Sequence, residues 1–382
     1  MPKLSFIDVA KPIIKQPTVP FSEGFPISSI YGFLRDHPNL KHAKDIYGNI
    51  FIKYDGTKSS RFPRTILTAH LDHPGFRWIA DLDSTTSLFG IYGGINKSLL
   101  INQPVRIYNP INKNSNRSLR GLISKVNDSN KHRPTIEVSL KSKQNIKHLK
   151  ESFCCLDITP LRLSGNRLHA RVCDDLVGVG AALTTIANLS LSKTPTKVGI
   201  LLTRAEEVGF AGILGALNEN YLNKTDVYVN IECSSILAGA ILGGGPIVRV
   251  GDRITVFDSD ISSILTNCAN NLQKRNRNFS FQRKLMDGGA CEATPLIRAG
   301  YQTGAVAIPL DNYHNDGGTR LKAEIVDLRD VDNLIRLLTE FCLSQAPKGL
   351  STDVVNRSID SKMKDTFNRY IQNLRTQPIL PK

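Results

Sequence analysis

The sequence predicts an α/β fold, a mixed sheet with helices on both faces, interrupted by a small inserted all-β domain. Three observations carry this. Short apolar strands such as RTILTA, KVGILLT, DVYVNI and TGAVAI alternate with helical segments, as in layered α/β folds. Between Leu88 and Leu168 the texture changes to pieces such as PVRIYNP, SLRGLISKV and TIEVSL, separated by polar turns, the pattern of a small β domain. The chain has 382 residues, more than one core usually serves. The expected division is 1–87 and 169–346 for the two parts of the α/β domain, 88–168 for the insertion and 347–382 for a polar tail.

Taken in order, ISSIYGFLR at 27–35 fits a short helix. DIYGNIFIKY at 45–54 reads as a turn at Gly48 and Asn49 followed by a strand. Arg64 to Ala69, RTILTA, reads as a short apolar strand, which suits a strand buried on both faces inside a sheet. LVGVGAALTTIANL at 176–189 has the small and apolar residues of a buried helix. Strand KVGILLT at 197–203 and helix GILGALNENY follow, then strand DVYVNI at 226–231. A helix is expected over 261–272, a strand over 303–308, and a helix over 331–344. One more helix, 362–374, is expected in the tail. Gly243 to Pro246, GGGP, is not followed by GK[ST] and makes no GxGxxG, so it reads as a structural turn rather than a phosphate loop.

Composition narrows the function classes. At 41% hydrophobic and 22% charged residues, the chain looks like an ordinary soluble protein. No stretch approaches the roughly 18–20 apolar residues of a membrane helix, so no membrane partner is expected. The N-terminus, MPKLSFIDVAKPIIKQPTVP, has no sustained apolar run. No cleaved signal peptide is expected, and the expected compartment is the cytoplasm. The 7 cysteines are odd in number and form no CxxC pair, which fits reduced thiols. Any metal should then be held by His and carboxylate. The formal charge is +15. Fourteen basic and four acidic residues lie between Leu88 and Leu168. The bland reading of that excess is a solvated surface; the sharper ones are attraction of acidic substrates or of nucleic acid. Nucleic acid is disfavoured, because few aromatics are interleaved and no RNA or DNA motif is present.

The chemistry-bearing residues fall at strand ends. His70 follows RTILTA, Glu206 and Glu207 follow KVGILLT, Glu232 follows DVYVNI, and His314 follows TGAVAI after PLDNY. Asp174 and Asp175 stand just before a helix. Singly, each has an ordinary structural reading: an Asp before a helix is usually an N-cap. Jointly they are expected at one crevice, because loops at the carboxyl ends of strands converge in an open α/β sheet. Nitrogen and oxygen ligands together suit zinc, with cobalt or manganese as alternatives. Asp72 can orient the His70 imidazole from behind. Of the adjacent Glu206 and Glu207, one can hold a metal while the other takes a proton. A carboxylate such as Asp174 can bridge two metals.

TAHLDHPGF, HARVCDDLVGVGAAL, RAEEVGFAGILGA, VNIECS, LGGGPIVRV, DGGACEA and NYHN occur in that order. In this the chain resembles the glutamyl aminopeptidase or tetrahedral aminopeptidase family of dinuclear metallopeptidases, over roughly residues 20–345 and including the inserted β domain. The resemblance implies a zinc-peptidase-like fold and two divalent metal ions per subunit. By the same resemblance His70 and His314 would each bind one metal, Asp174 would bridge them, and Glu207 and Glu232 would complete the shells. Glu206 would be general base and then general acid. A cis peptide at Asp174–Asp175, peptide substrates with a free N-terminus, and a homo-oligomer, with a dodecamer as one form, are also implied. The chain departs from the family pattern at Leu176, where Arg is usual, at Cys291 and Glu292, and at Asp311 to Asn315; Glu232 is often Asp. None of these departures removes an implied ligand or the base; they touch substrate pockets and oligomer contacts. The other readings are a related dinuclear deacylase or carboxypeptidase, and a catalytically inactive basic binding protein.

Overall fold

The computed structural model describes residues 3–57, 63–109, 118–130, 133–140, 152–236 and 239–344, with 361, 363–366, 368 and 369 of the tail. Two helices come first, α1 (Phe6–Ile14) and α2 (Gly24–Asp36). α1 buries Phe6, Val9, Ala10, Ile13 and Ile14, a single apolar stripe at helical spacing. It escapes sequence reading because Pro12 lies inside it, and proline usually ends a helix. Strands β1 (Lys41–Lys44), β2 (Ile50–Asp55) and β3 (Thr65–His70) follow. The turn before β2 places Gly48 at φ 84°, a left-handed conformation that glycine adopts without steric cost.

A closed antiparallel barrel comes next. Its strands are β4 (Gly75–Asp81), β5 (Thr86–Tyr92), β6 (Pro104–Tyr108), β7 (Leu119–Asn127), β8 (Thr135–Leu140) and β9 (Phe153–Leu156). They close in the order β4-β5-β8-β7-β6-β9. Phe76, Phe89, Val105, Ile107, Ile123, Ile136 and Val138 fill its interior, contributed by alternate residues of the strands. The barrel strands therefore begin before residue 88 and end before residue 168. The early start follows directly on the HLDHPG loop, so no linker marks it in the sequence. Lys125 pairs with Glu137, Lys97 with Asp128, and both Arg106 and Arg120 with Asp157. Lys113, Arg117, Lys131, Lys141, Lys143, Lys147 and Lys150 lie outside the described residues.

The chain then makes β10 (Leu161–Ser164) and β11 (Arg167–Ala170), followed by α3 (Leu176–Leu191). Next are β12 (Lys197–Thr203), α4 (Ala211–Asn218), β13 (Val227–Ser235), β14 (Ile247–Gly251) and α5 (Ser259–Arg275). β15 (Gln282–Leu285), α6 (Ala293–Arg298), β16 (Thr303–Leu310), β17 (Glu324–Asp327) and α7 (Leu328–Ser344) complete the core. The main sheet runs β1-β2-β12-β3-β13-β16-β14-β15, while β10, β11 and β17 form a small antiparallel sheet. β12, β3, β13 and β16 are mutually parallel. These four are buried almost throughout, as expected of parallel strands covered on both faces. Helices α1, α2, α3, α5 and α7 pack on one face through the largest core. α4 and α6 pack on the other through Ile213, Ala216 and Leu296 against Ile66, Leu201 and Tyr228.

The GGGP segment is a turn with Gly243 and Gly245 at φ 89° and 90°. Its amides donate to the Asp330 carboxylate of α7, each at 2.7 Å. The loop thus holds an anion from its own chain. All seven cysteines are buried and free. Among the described residues no helix is long and apolar enough to cross a membrane. Residues 361, 363–366, 368 and 369 are helical; the rest of the helix expected over 362–374 lies outside the described residues.

Candidate active site

The four parallel strands deliver their carboxyl ends to one edge of the sheet, and the expected residues meet there. His70 is the last residue of β3, and Glu206 and Glu207 open a 3-10 turn just after β12. Glu232 lies within β13, which continues to Ser235, so it faces the site from the strand itself rather than from its end. His314 sits in a short turn after β16, and Asp174 lies one residue before Asp175, the N-cap of α3. The Asp174–Asp175 peptide is cis.

Asp174 is the centre of the cluster. Its Oδ1 lies 3.5 Å from His70 Nε2, and its Oδ2 lies 3.6 Å from His314 Nε2. His70 Nε2 is 3.7 Å from Glu232 Oε2, and His314 Nε2 is 3.0 Å from Glu207 Oε1. The cluster therefore has two halves, each a histidine and a glutamate, with one Asp174 oxygen turned to each. His70, Asp174 and Glu232 present ligand atoms within 4.8 Å of one another, as do Asp174, Glu207 and His314. Asp174 Oδ1, Glu207 Oε1, Glu232 Oε1 and His314 Nε2 are buried without a hydrogen-bond partner among the described residues. Buried polar atoms left unsatisfied are costly, and these four are shared between the two groups that could each hold a cation. The residues present thus fit the metals that the sequence led us to expect.

The local field agrees. Burial works against the His70 and His314 cations, yet the surrounding carboxylates outweigh it and raise both rings well above the usual range. Glu206 leads that effect on His70, and Glu207 leads it on His314. Burial also opposes ionised Asp174, but His314 and His70 hold its carboxyl below the usual range. Burial lifts the Glu207 and Glu232 carboxyls, opposed chiefly by His314 and His70 respectively. Burial likewise lifts Glu206 well above its ordinary value, against His70 and with Glu232, Glu207 and Glu292. A pocket this rich in carboxylate attracts positive charge.

Asp72 ties two strand ends together. Its Oδ1 accepts the Glu206 N–H at 2.9 Å, and its Oδ2 accepts the Glu207 N–H at 3.1 Å. Its Oδ1 also lies 3.6 Å from His70 Nδ1. One carboxylate thereby positions the backbone of both glutamates, while the Asp72 carbonyl oxygen lies 3.2 Å from His70 Nδ1 and meets the back of the ring. For Asp72→Ala we expect kcat or metal affinity to fall about 10–100-fold, the usual cost of losing such a support. Kinetics and chelator competition read this, and wild-type values in both would remove Asp72 from the role.

Several supporting residues are not among those expected from sequence. Glu23, fully buried, accepts from the Arg204 Nε–H at 2.7 Å and the Ala205 N–H at 3.1 Å, fixing the segment before Glu206. Glu324 accepts from the Cys173 and Asp174 amides at 2.6 and 3.1 Å and from the His314 amide at 2.9 Å. It joins the backbone of the central aspartate to that of the second histidine. Burial pushes its carboxyl up to about 8. His73 Nδ1 lies 2.9 Å from the Asp174 carbonyl oxygen. Burial, reinforced by His314, lowers His73 to about 4, so at neutral pH its ring is uncharged and Nδ1–H donates. A Cβ at Gly178 would lie 2.3 Å from Asp175 Oδ1, so glycine there leaves room for the Asp175 carboxylate. His73 is the one with a visible signal, three residues after His70 in HLDHPG.

Comparison with known proteins extends these findings. The family model described as M42 glutamyl aminopeptidase matches residues 48–337. A relative from Acetivibrio thermocellus named "Putative aminopeptidase" is 22% identical over 312 residues, covering 78% of this chain and 86% of the relative. Among solved structures, a TET aminopeptidase from a marine-sediment archaeon of the Thaumarchaeota is 18% identical with TM-score 0.74, covering 91% of this chain and 98% of that one. The TET1 peptidase of Pyrococcus horikoshii is 21% identical with TM-score 0.71, covering 88% and 99%. At such identities the two structures show a shared fold.

Proposed function

The chain belongs to the M42 glutamyl aminopeptidase family, and on that premise we propose that it removes N-terminal residues from peptides by two-metal hydrolysis. The observation that carries the proposal is Asp174, with one oxygen toward His70 and Glu232 and the other toward His314 and Glu207. His70, Asp174 and Glu232 would hold one divalent ion, and His314, Asp174 and Glu207 the other. Nitrogen and oxygen ligands favour zinc, with cobalt or manganese able to substitute. When bound, such ions polarise the scissile carbonyl and acidify water.

The chain's own residues do the rest. Glu206 is held by Asp72 through its amide, with its carboxylate in the same group as His70 and Glu207. It takes the proton released as water oxygen bonds to the carbonyl carbon. It then delivers that proton to the leaving nitrogen as the C–N bond breaks. Burial raises the Glu206 carboxyl above its ordinary value, the direction that favours a group which must accept a proton and later return it. We also propose a homo-oligomer, in keeping with the tetrahedral or octahedral shells named for the Pyrococcus horikoshii relative; light scattering on the purified chain reads its mass.

Paired peptides with free and acetylated N-termini test the function. The free peptide should be cleaved one residue at a time and the blocked one left intact. Cleavage of blocked peptides alone would instead assign a deacylase or carboxypeptidase activity.

A further inference from the structure

Tyr313 stands next to His314 and is unused by the mechanism above. Its ring stacks on the His314 imidazole, with centroids 3.7 Å apart and planes 22° apart. It lines a cavity of ≈ 710 Å³ that also contains Glu232, Arg249 and Met286. Tyr313 and Glu232, one of the expected ligands, thus share the wall of one cavity. Among the described residues the phenol makes no hydrogen bond or ion pair. Tyr313 is 40% exposed.

The turn that presents Tyr313 is unusual. Asn312, His314 and Asn315 have φ of 54°, 53° and 63°, left-handed values that non-glycine residues seldom adopt. Three contacts hold them there. Asn312 Nδ2–H donates to the Ala323 carbonyl at 2.8 Å, the His314 amide to Glu324 at 2.9 Å, and Asn315 Nδ2–H to the Arg171 carbonyl at 2.9 Å. Strained backbone of this kind persists where its surroundings over-determine it, and it clusters at functional sites. Here the product is a fixed aromatic ring stacked on the second histidine, on a residue that lines the cavity. A phenol keeps its proton at neutral pH and can donate it to a hydrogen bond.

We propose that Tyr313 is a catalytic residue whose O–H donates a hydrogen bond to the scissile carbonyl oxygen as that oxygen becomes negative. The proposal rests on the hydrolytic reading above. As water adds to the carbonyl carbon, the C=O π electron pair moves onto oxygen; the Tyr313 proton stays on the phenol and stabilises that charge. A donor aimed at developing charge acts in the transition state more than in the ground state.

Tyr313→Phe keeps the ring and its stacking on His314 and removes only the O–H. The expected result is a kcat lower by about 10²–10³-fold, the cost of losing one such donor, with KM changed less than about threefold. Metal content should match wild type. A phosphonate analogue of the tetrahedral intermediate should bind more weakly by a comparable factor, while the free amino acid product binds as before. A Tyr313→Phe kcat within about threefold of wild type, or unchanged phosphonate affinity, overturns the proposal. A wild-type protein that, supplied with zinc, cobalt or manganese, cleaves no free-N-terminus peptide would instead sink the reading on which it rests.

Discussion

Glu206→Gln is expected to lower kcat by about 10²–10⁴-fold, the usual contribution of a positioned acid–base group, with metal content left at the wild-type level. The two outcomes come from the geometry. Glu206 is nearly buried, at 8% exposure, and its amide is fixed by Asp72. Glutamine has the same shape, so the backbone contact and the neighbouring Glu207 should stay in place. What is lost is the ability to take a proton from water and return it to the leaving nitrogen. Glu206 is also not needed to complete either half of the cluster around Asp174. Steady-state kinetics with elemental analysis of the same preparation separate base from ligand. Turnover above about a tenth of wild type would take the base role from Glu206. Loss of metal with loss of turnover would make it a ligand instead.

Asp174→Ala should have the other large effect, and of a different kind. Removing His314 or Glu207 injures one half of the cluster, but Asp174 serves both through separate oxygens. Without it, two histidines and three glutamates remain with nothing between the halves. Metal content should fall below one ion per chain after dialysis, and activity by at least about a thousandfold, since metal assistance supplies several kcal/mol. His314→Ala is the comparison: it should retain close to one ion. If Asp174→Ala still binds two ions, the bridging assignment is wrong, however low its activity. Circular dichroism checks that the variant folds.

How much of this was legible in the sequence depends on what kind of signal each element leaves. Strands β3, β12, β13 and β16 are read easily, because a parallel strand buried on both faces is a continuous apolar run. Once those strands are placed, His70, Glu206, Glu207 and His314 follow as residues at their carboxyl ends. The start of the barrel is not legible: β4 begins five residues after His70 with no intervening linker. Glu23 and Glu324 are missed for a different reason. Each works through backbone amides of a distant segment, and an amide is the same in every residue. Nothing in a local pattern distinguishes a glutamate that will accept from Ala205, 182 positions away, from one facing solvent. Tyr313 is visible as a residue, but its relation to His314 depends on left-handed dihedrals on either side of it that asparagine and histidine only weakly announce.

The sheet order β12-β3-β13-β16 has a consequence for the chain as it is synthesised. The neighbours of β3 come from far downstream, and the partner half of the cluster needs β16 and residue 314. A nascent chain leaving the ribosome can close its barrel at Leu156 while His70 still has none of the other residues of the cluster beside it. Both halves exist together only once the chain has been made through residue 314. The cluster at the sheet edge therefore assembles only after the barrel strands are complete, when β12, β13 and residue 314 have all joined β3.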